Sequence, residues 1–413
     1  GLAGAIKEGG RGAGRGVRGR RVRDWLIVGQ VAVSFMLLIG AGLMLRSFYK
    51  LQQVEPGFNP ERVLTMDVSM NWSKYDTNDD YRNFYKHLLE KVKAEPEVIS
   101  AAVSSTYPLN PKAIMYGPRT LSFRIESMPV EDASLLPTAD PRAASPDYFQ
   151  TMGISLIKGR TFTDGDDEKS PQVALINQSM ARHRWGDKDP IGERISFDDG
   201  KNWSTIVGVV GDVKQYGLST DPVDELYVPL AQSPNGGGLL VRTAADPMKL
   251  SERLRHLIHE VDPDTAVANV RTLEEVKRAS LASPLFTTVL LSLFALISLA
   301  ITATGIAGVM ALSVNQRKHE IGVRMALGAP RGAVLRMVMR QGMRLILIGL
   351  LIGLAGAIAL TRLMTFLLFE VQPTDLLTYL GVSLVLLVSA AAACFVPARR
   401  ATMIDPLIVL RTD

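Results

Sequence analysis

Four long runs without a charged side chain constrain the fold of this chain more than any other feature of its sequence. Trp25–Leu45 contains 21 residues of this kind, Leu285–Gln316 contains 32, Leu345–Thr361 contains 17 and Leu376–Val396 contains 21. A bilayer core of about 30 Å needs roughly 20 apolar residues in a helix, whereas apolar runs of ~10–14 residues are typical of buried soluble helices. The sequence therefore predicts four transmembrane α-helices rather than buried helices of one large soluble core.

The second and third runs depart from the ideal span length. At 1.5 Å per residue the second run could extend over roughly 48 Å, so its start at Pro284–Leu290 is expected to form a stalk above the bilayer. The third run is short and is followed by Arg362, whose side chain is expected to reach towards an interface.

The segment between the first two spans has the composition of a globular protein and is long enough for a large domain. The apolar side chains of a predicted helix with Asn78 as its N-cap fall on one face. Thr272 and Glu275 form a predicted capping box near the end of the segment. The predicted strands are Val63–Met70, Val98–Ser105, Gln172–Ile176, Thr205–Val210 and Thr265–Arg271. Two helix–strand units around a β-rich middle predict an inserted α+β domain with two lobes, the second at about 106–240.

Charge predicts the orientation of the chain. The opening segment contains seven Lys and Arg residues, the loop 317–344 contains seven more against Glu320, and the tail contains Arg399, Arg400 and Arg411. Positive-inside logic places both termini and this loop in the cytoplasm and the inserted domain outside. The segments beyond 46–284 sum to about +11 and the whole chain carries +5, which leaves about −6 for the inserted domain.

The overall pI of 9.2 is therefore a sign of topology and not of nucleic-acid binding. The Gly/Arg-rich opening has no aromatic side chains for base stacking and precedes a membrane span, so anionic lipid headgroups are its expected neighbours.

The sequence contains no convincing catalytic or metal-binding constellation, and no cofactor is expected to bind directly. It has no G-x-x-x-x-G-K-[ST] loop for nucleotide phosphates. His256 and His259 are not in the H-E-x-x-H order, so a solvated helix face is favoured over a zinc site. The acidic run Asp164–Glu168 lacks the spacing of a calcium loop. His183 and His319 have no acid–base partner at an informative spacing.

The loop Gln316–Arg344 is the most informative stretch. Gly328 is predicted to end one helix and Pro330 to start another. The second helix carries a basic stripe, since its arginines recur every four residues, and it is expected to lie in the headgroup layer and feed the third span. Two interpretations remain open at this point, a lipid-anchoring elbow and a docking surface for a cytoplasmic partner at Glu320–Ala329. The stripe consists of Arg336, Arg340 and Arg344.

Several motifs resemble those of the FtsX-like/MacB-like permeases of ABC transporters. The loop HEIGVRMALGAP (319–330) resembles their signature loop, and the tail PARRATMIDPLIVLR (397–411) resembles their closing motif. The segments GRTFTDGDD (159–167), VALINQSMARHRWGDKDPIGERI (173–195) and TIVGVVGDVKQYGL (205–218) are similar to the MacB-type periplasmic core domain. The opening up to residue 51 resembles the junction before the second half of duplicated permeases, which favours one half of an eight-span protein over a single-unit permease.

The resemblance implies a non-catalytic permease of an ABC-type exporter or mechanotransmission system in the bacterial inner membrane. A separate cytoplasmic ABC ATPase would dock on the loop after the second span, and its ATP use would move the outer domain, as in efflux. A homodimer or pairing with a homologous half is implied as well. MacB itself carries an ATPase domain on the same chain, and this sequence shows none. The implied coupling residues are Glu320, Ile321, Gly322, Arg324, Ala326, Leu327, Gly328 and Ala329.

The alternative function is a membrane-anchored sensor or scaffold whose outer domain binds an envelope partner.

The predicted segments are a basic cytoplasmic segment 1–24, the first span 25–45, the periplasmic domain 46–283, the second span with its stalk 284–316, the coupling loop and amphipathic helix 317–344, the third span with a short outer loop 345–369, the fourth span 376–396 and the cytoplasmic tail 397–413.

Overall fold

The computed structural model describes residues 2–71, 74–75, 77–327 and 330–401, which form two compact units. Val54–Ala282 form one unit, here called the inserted domain, and the segments before and after it form the helical unit. The helices are, in chain order, α1 Leu2–Gln52, α2 Asn78–Lys93, α3 Pro111–Tyr116, α4 Tyr148–Met152, α5 Gln178–Trp185, α6 Ser251–Val261, α7 Leu273–Ser280, α8 Ala282–Gln316, α9 Lys318–Ala326, α10 Arg331–Leu363 and α11 Leu376–Ala401.

The helical unit contains four helices that are long and apolar enough to cross a membrane, in α1, α8, α10 and α11. The spanning part of α1 is the most enclosed of the four, at 56% buried, and α8 is the least enclosed, at 17%. Val31, Phe35 and Ile39 of α1 and Ile346 of α10 are fully buried in one apolar cluster. The first helix is therefore the centre of the unit.

Glycines allow α10 to approach α1 closely. A Cβ atom added to Gly349 would lie 2.9 Å from the backbone oxygen of Val28, and one added to Gly353 would lie 2.9 Å from the backbone oxygen of Ala32. The two glycines are four residues apart, which is the small-xxx-small spacing of tightly packed membrane helices. The backbone of α1 occupies the space that side chains at these positions would need.

Polar contacts fix the end of α1 that precedes the inserted domain. Arg46 forms an ion pair with Asp375, and the Ser47 hydroxyl accepts a hydrogen bond of 2.8 Å from the backbone N–H of Phe369. Lys50 donates to the backbone oxygen of Glu370. The short segment between α10 and α11, predicted as an outer loop, is thus attached to α1.

The inserted domain is built on a mixed sheet. Its strands are β1 Val63–Ser69, β2 Val98–Ser104, β3 Leu121–Ser122, β4 Arg124–Ile125, β5 Thr138–Ala144, β6 Leu156–Gly159, β7 Val173–Asn177, β8 Arg194–Ser196, β9 Ser204–Val210, β10 Glu225–Pro229, β11 Gly238–Thr243 and β12 Ala266–Thr272. The order across the sheet is β12-β1-β11-β2-β5-β10-β7-β9-β8-β4, with β3 beside β5 and β6 beside β9. The pairs β5–β10 and β7–β9 are parallel, and the other pairs are antiparallel.

The core of the described part of this domain includes two apolar clusters. In the first cluster, α2 and α6 cover β1, β2 and β11, where Leu64, Leu88 and Leu254 are fully buried. The second cluster contains Ile176, Ile206 and other side chains from the middle of the chain segment. The predicted division of this domain into two lobes, with the second lobe at about 106–240, stays a prediction.

The predicted fold class is confirmed, with four apolar helices and a mixed α/β domain inserted between the first and the second. The capping box of α7, with Thr272 and Glu275, is also confirmed. One detail was wrong. Thr77 and not Asn78 is the N-cap of α2, because the Thr77 hydroxyl and the Asp80 carboxylate form a reciprocal capping box.

The first testable prediction concerns the α1–α10 contact. Gly349→Ala should lower the free energy of unfolding by about 1–3 kcal/mol, because the new methyl group would overlap the backbone of α1. The measurement is denaturant-induced unfolding of the purified chain in detergent micelles. Gly308→Ala is the matched control, since a Cβ atom at Gly308 of α8 meets nothing within 4 Å. Equal effects of the two substitutions would contradict the close approach.

Candidate functional site

The loop between α8 and α10 contains the residues for which the sequence predicts a docking role. Gly328 and Ala329 lie outside the residues that the structure describes, so the predicted helix end at Gly328 stays a prediction. Leu327 is the C-cap of α9. The helix α9 itself contains Glu320, Ile321, Gly322, Arg324 and Ala326.

Ile321 anchors one side of α9 to the spans. Its side chain is 1% exposed and lines a small gap together with Val314 of α8 and Met337 and Val338 of α10. Full burial of such a side chain stabilises by about 1.5–3 kcal/mol relative to exposure. The α9 helix is therefore held by two neighbouring helices at once.

Polar and apolar groups close to Ile321 are exposed to solvent. Arg324 and Glu320 form an ion pair of 2.8 Å with about half of each side chain exposed. Arg324 also donates to the sulfur of Met337 at 2.9 Å, and Leu327 is 83% exposed. An exposed ion pair contributes only about 0–1 kcal/mol, so these groups are not needed to hold α9 in place. They form a surface that a partner protein could cover.

The basic stripe lies on α10. Arg336, Arg340 and Arg344 are all exposed, as expected for residues four apart on one helix face. The expected headgroup-layer helix is corrected in one respect, because residues 331–363 form one continuous helix rather than an elbow followed by a span. The segment before the span contains no proline, and its Gly342 is packed against Met310 and Cys394. Nothing in the sequence there interrupts the backbone hydrogen bonds.

A buried polar network in the inserted domain was missed at the sequence level. Arg142 of β5 donates a 2.6 Å hydrogen bond to Asp140 and a 3.0 Å bond to the Tyr216 hydroxyl. Glu225 of β10 is fully buried and accepts hydrogen bonds from the Tyr227 hydroxyl and from Gln215. The parallel register places Glu225 beside Asp140 and Tyr227 beside Arg142.

The sequence contains a partial signal of this network. Asp140 and Arg142 are two residues apart, as are Glu225 and Tyr227, and side chains at this spacing share one face of a strand. Each pair alone is compatible with an exposed strand face. The pairing of β5 with β10, which are far apart in the chain, brings the two pairs together, and no local pattern indicates that pairing.

Burial controls the protonation of Glu225. Loss of water raises the pKa of this carboxyl to about 7, although the nearby Arg142 guanidinium acts in the opposite direction. The Glu225 Oε1 atom has no hydrogen-bond partner, and the Nε atom of Arg142 is 4.0 Å from Oε2. Glu225 therefore carries its proton to an unusually high pH in the folded state.

The histidines do not form a metal site among the described residues, where no cluster of three or more His, Cys, Asp or Glu side chains could hold an ion. His183 does have a partner that its sequence spacing did not indicate, because its Nδ1 atom is 2.7 Å from Asp224. His256 is 2.9 Å from Glu260, one helical turn away. Both histidines are largely exposed, as expected for solvated positions.

Two family models match the chain. The MacB-like periplasmic core domain matches residues 26–272, and the FtsX-like permease C-terminal region matches residues 292–406. Together these matches include most of the four apolar helices, the inserted domain up to the end of β12, and α9.

Curated relatives show the same resemblance at low identity. The probable syringafactin export ATP-binding/permease protein SyfD of Pseudomonas syringae pv. tomato is 27% identical over 338 residues, which are 76% of this chain and 47% of that protein. The macrolide export ATP-binding/permease protein MacB of Agrobacterium fabrum is 27% identical, with coverages of 70% and 45%. The uncharacterized ABC transporter permease YknZ of Bacillus subtilis is 26% identical, with coverages of 64% and 68%.

The chain thus spans about half the length of SyfD and MacB. Among solved structures, the periplasmic region of MacB from Actinobacillus actinomycetemcomitans aligns with 56% of this chain and 97% of its own length, at 15% identity and a TM-score of 0.36.

The second testable prediction concerns the anchor of α9. Ile321→Ala should increase backbone hydrogen exchange in residues 318–326, because loss of buried methyl groups weakens the contact with α8 and α10 by about 2–5 kcal/mol. Hydrogen–deuterium exchange followed by mass spectrometry measures the change. Leu327→Ala is the control, since that side chain is already exposed. An unchanged exchange rate in the Ile321 variant would show that α9 is held by other contacts.

The third testable prediction concerns the pH dependence of the inserted domain. The folded state holds a proton on Glu225 up to a pKa of about 7, whereas the unfolded chain releases it near 4.5. The stabilisation from this proton is fully present below pH 4.5 and is lost as the pH rises through about 7. Glu225→Gln should flatten this part of the pH profile of thermal unfolding, measured by circular dichroism.

Glu131→Gln is the control for that experiment, because Glu131 is exposed. Its profile should match that of the unsubstituted chain. A Glu225→Gln profile that keeps the full loss of stability between these pH values would contradict the assignment to Glu225.

Proposed function

This chain belongs to the family of ABC transporter permeases that combine a MacB-like periplasmic core domain with an FtsX-like permease region, and from this membership we propose that it is the non-catalytic permease subunit of an exporter. A separate cytoplasmic ATPase would bind and hydrolyse ATP, and the permease would convert that cycle into motion of its inserted domain. The substrate would be handled outside the bilayer core.

The arrangement of α9 carries this proposal. One side of the helix is held by Ile321, while Glu320, Arg324 and Leu327 on the remainder are exposed and contribute little to its own stability. A surface that combines a rigid support with exposed charged and apolar groups suits the docking of a protein partner. The ATPase is the partner that family membership favours.

The continuous α10 helix supports a mechanical role. Its 33 residues would extend over about 50 Å, and no loop separates the segment beside α9 from the spanning segment. Force applied to α9 would pass through Ile321 to α10 and then to α1, whose backbone contacts the glycine face of α10. In sequence, α1 leads directly into the inserted domain. We propose this path as the basis of mechanotransmission.

The proposed orientation follows from charge. The termini and the α9 loop would lie in the cytoplasm of a bacterial cell, and the inserted domain would lie in the periplasm. The exposed stripe of Arg336, Arg340 and Arg344 would contact anionic lipid headgroups of the inner membrane. The wide apolar surface of α8 would be covered by lipid and by a second copy or a homologous half.

The fourth testable prediction separates docking from internal stabilisation at α9. The charge swap Glu320→Arg with Arg324→Glu keeps the internal ion pair but reverses the charges that a partner meets. If the surface binds the ATPase, the swap should weaken binding at least as much as either single reversal, by about tenfold or more. Co-purification and stimulated ATP hydrolysis with a candidate ATP-binding subunit measure this.

Arg340→Glu is the control, because it reverses a charge on the exposed stripe of α10 and should leave ATPase binding unchanged. Full recovery of binding in the swap variant would mean that the pair only stabilises α9. Binding that survives both single reversals would remove the proposed docking site.

A further inference from the structure

A polar cleft of about 290 Å³ lies in the inserted domain. It lies at one end of β1, β2 and β11, the strands of the first apolar cluster. Residues at the end of β1, after β2 and before β11 form one part of its lining. The helix α3 and the start of β5 form the rest. Charged side chains from these separate segments therefore meet in a space large enough for a small molecule. The charged residues of the lining are Asp67, Lys112, Arg119, Asp140 and Arg142.

The floor of the cleft contains the buried ion pair of Arg142 and Asp140. Their side chains are 1% and 4% exposed, and both residues line the cleft. The guanidinium group also lies over the ring of Tyr216, 5.7 Å from its centroid. Such a pair costs desolvation free energy that its own attraction only partly offsets, so apolar residues would often be equally stable there. Stability alone is therefore a weak reason for charges at this position.

Both carboxylates of the cleft already have donors. Asp67 accepts a 2.8 Å hydrogen bond from Asn269 and pairs with Lys112 at 3.2 Å. Asp140 accepts from Arg142 and from the hydroxyl of Tyr216. Hydrogen-bond acceptors in the cleft are thus largely committed.

Two donors in the cleft are not committed, the Nδ2 amide of Asn110 and the guanidinium of Arg119. Asn110 is 5% exposed and uses its Oδ1 atom to accept from the backbone of Lys112, while its Nδ2 amide has no acceptor among the described residues. The Nε atom of Arg142 is buried and lies 4.0 Å from the Glu225 carboxylate, so it does not count among these donors. Arg119 forms no ion pair with any residue that the structure describes. The lining has three basic side chains against two acidic ones, a net charge of +1, although the whole inserted domain has a net charge of about −6.

An apolar surface borders these donors. Ala113 and Tyr116 of α3 line the same cleft, and the Tyr116 side chain is 81% exposed. An exposed aromatic ring beside a group of donors can cover the apolar part of a ligand whose charged end binds deeper.

We propose that this cleft binds a small amphipathic carboxylate. The carboxylate group would accept hydrogen bonds from Asn110 and Lys112 on the wall and from Arg119 at the rim, above the buried guanidinium of Arg142. The apolar part of the molecule would pack on the ring of Tyr116. Charge-assisted bonds to Lys112 and Arg119 favour an anion over a cation or a neutral molecule of equal size. The cleft would bind this ligand whether or not α9 couples to an ATPase, so the two proposals can fail separately.

Three probes of the same shape and different charge test the proposal. 3-Phenylpropionate, 3-phenylpropanol and 3-phenylpropylamine are titrated into the full chain in nanodiscs, and binding is followed by saturation-transfer NMR. The carboxylate should bind about tenfold more tightly than the alcohol, because a hydrogen bond to a charged group is worth more than a neutral one. The amine should not compete with the carboxylate. The affinity of the carboxylate should also fall as salt is increased, since the rim charges are screened.

Two double variants locate the binding site. The double variant Lys112→Met with Arg119→Met removes two exposed charges of the cleft. It should weaken binding of the carboxylate by about tenfold and binding of the alcohol much less. Lys188→Met with Lys201→Met removes two exposed charges elsewhere on the same domain and should have no effect. Equal binding of the three probes, or equal effects of the two double variants, would overturn the proposal.

Discussion

The close contact between α1 and α10 is the constraint on which the helical unit depends. Inside a bilayer the lipid is as apolar as the side chains, so helices associate through close packing rather than through the hydrophobic effect. Gly349 and Gly353 supply that packing because they let the backbone of α1 approach within contact distance. Met337 and Val338 of α10 line one gap together with Ile321 of α9, so the same helix lies beside both α1 and α9.

The two units differ in whether they bury charged side chains. The apolar runs of the helical unit contain no charged side chains, whereas the inserted domain buries Asp140, Arg142 and Glu225 together. In the domain, hydrogen bonds from Tyr216, Tyr227 and Gln215 reduce the desolvation cost, but the raised pKa of Glu225 shows that part of it remains. A charged ligand would therefore find fixed partners of opposite charge in the domain, whereas the four apolar runs contain no charged side chain.

Local patterns predicted the fold class and part of the sheet. The uncharged runs located the four apolar helices, and short apolar stretches located β1, β2, β7, β9 and β12, because both signals depend only on neighbouring residues. The strands β5, β10 and β11 were not predicted. The continuity of α10 was not predicted, since the basic stripe of Arg336, Arg340 and Arg344 suggested an interfacial helix although no helix breaker follows it. The same basic stripe is compatible with a separate interfacial helix and with one continuous helix.

The candidate sites were predictable to different degrees. The α9 surface is a contiguous stretch of sequence, so a local motif could indicate it. Its buried anchor, Ile321, could not be distinguished from the exposed Leu327 by residue type alone. The cleft and the network beneath it depend on β5, β10 and α3, which are far apart in the chain, and on a parallel strand pair that no local pattern indicates.

The distribution of polar groups also limits how an exporter of this kind could work. A charged substrate that crossed between the helices would have to leave water without a partner, because the apolar runs provide no opposite charge. Recognition of such a molecule would instead require the donors of the inserted domain, and energy input would require the exposed surface of α9. The spanning helices then need stiffness and close packing rather than a binding site, and the unbroken α10 with its glycine contact to α1 has both properties.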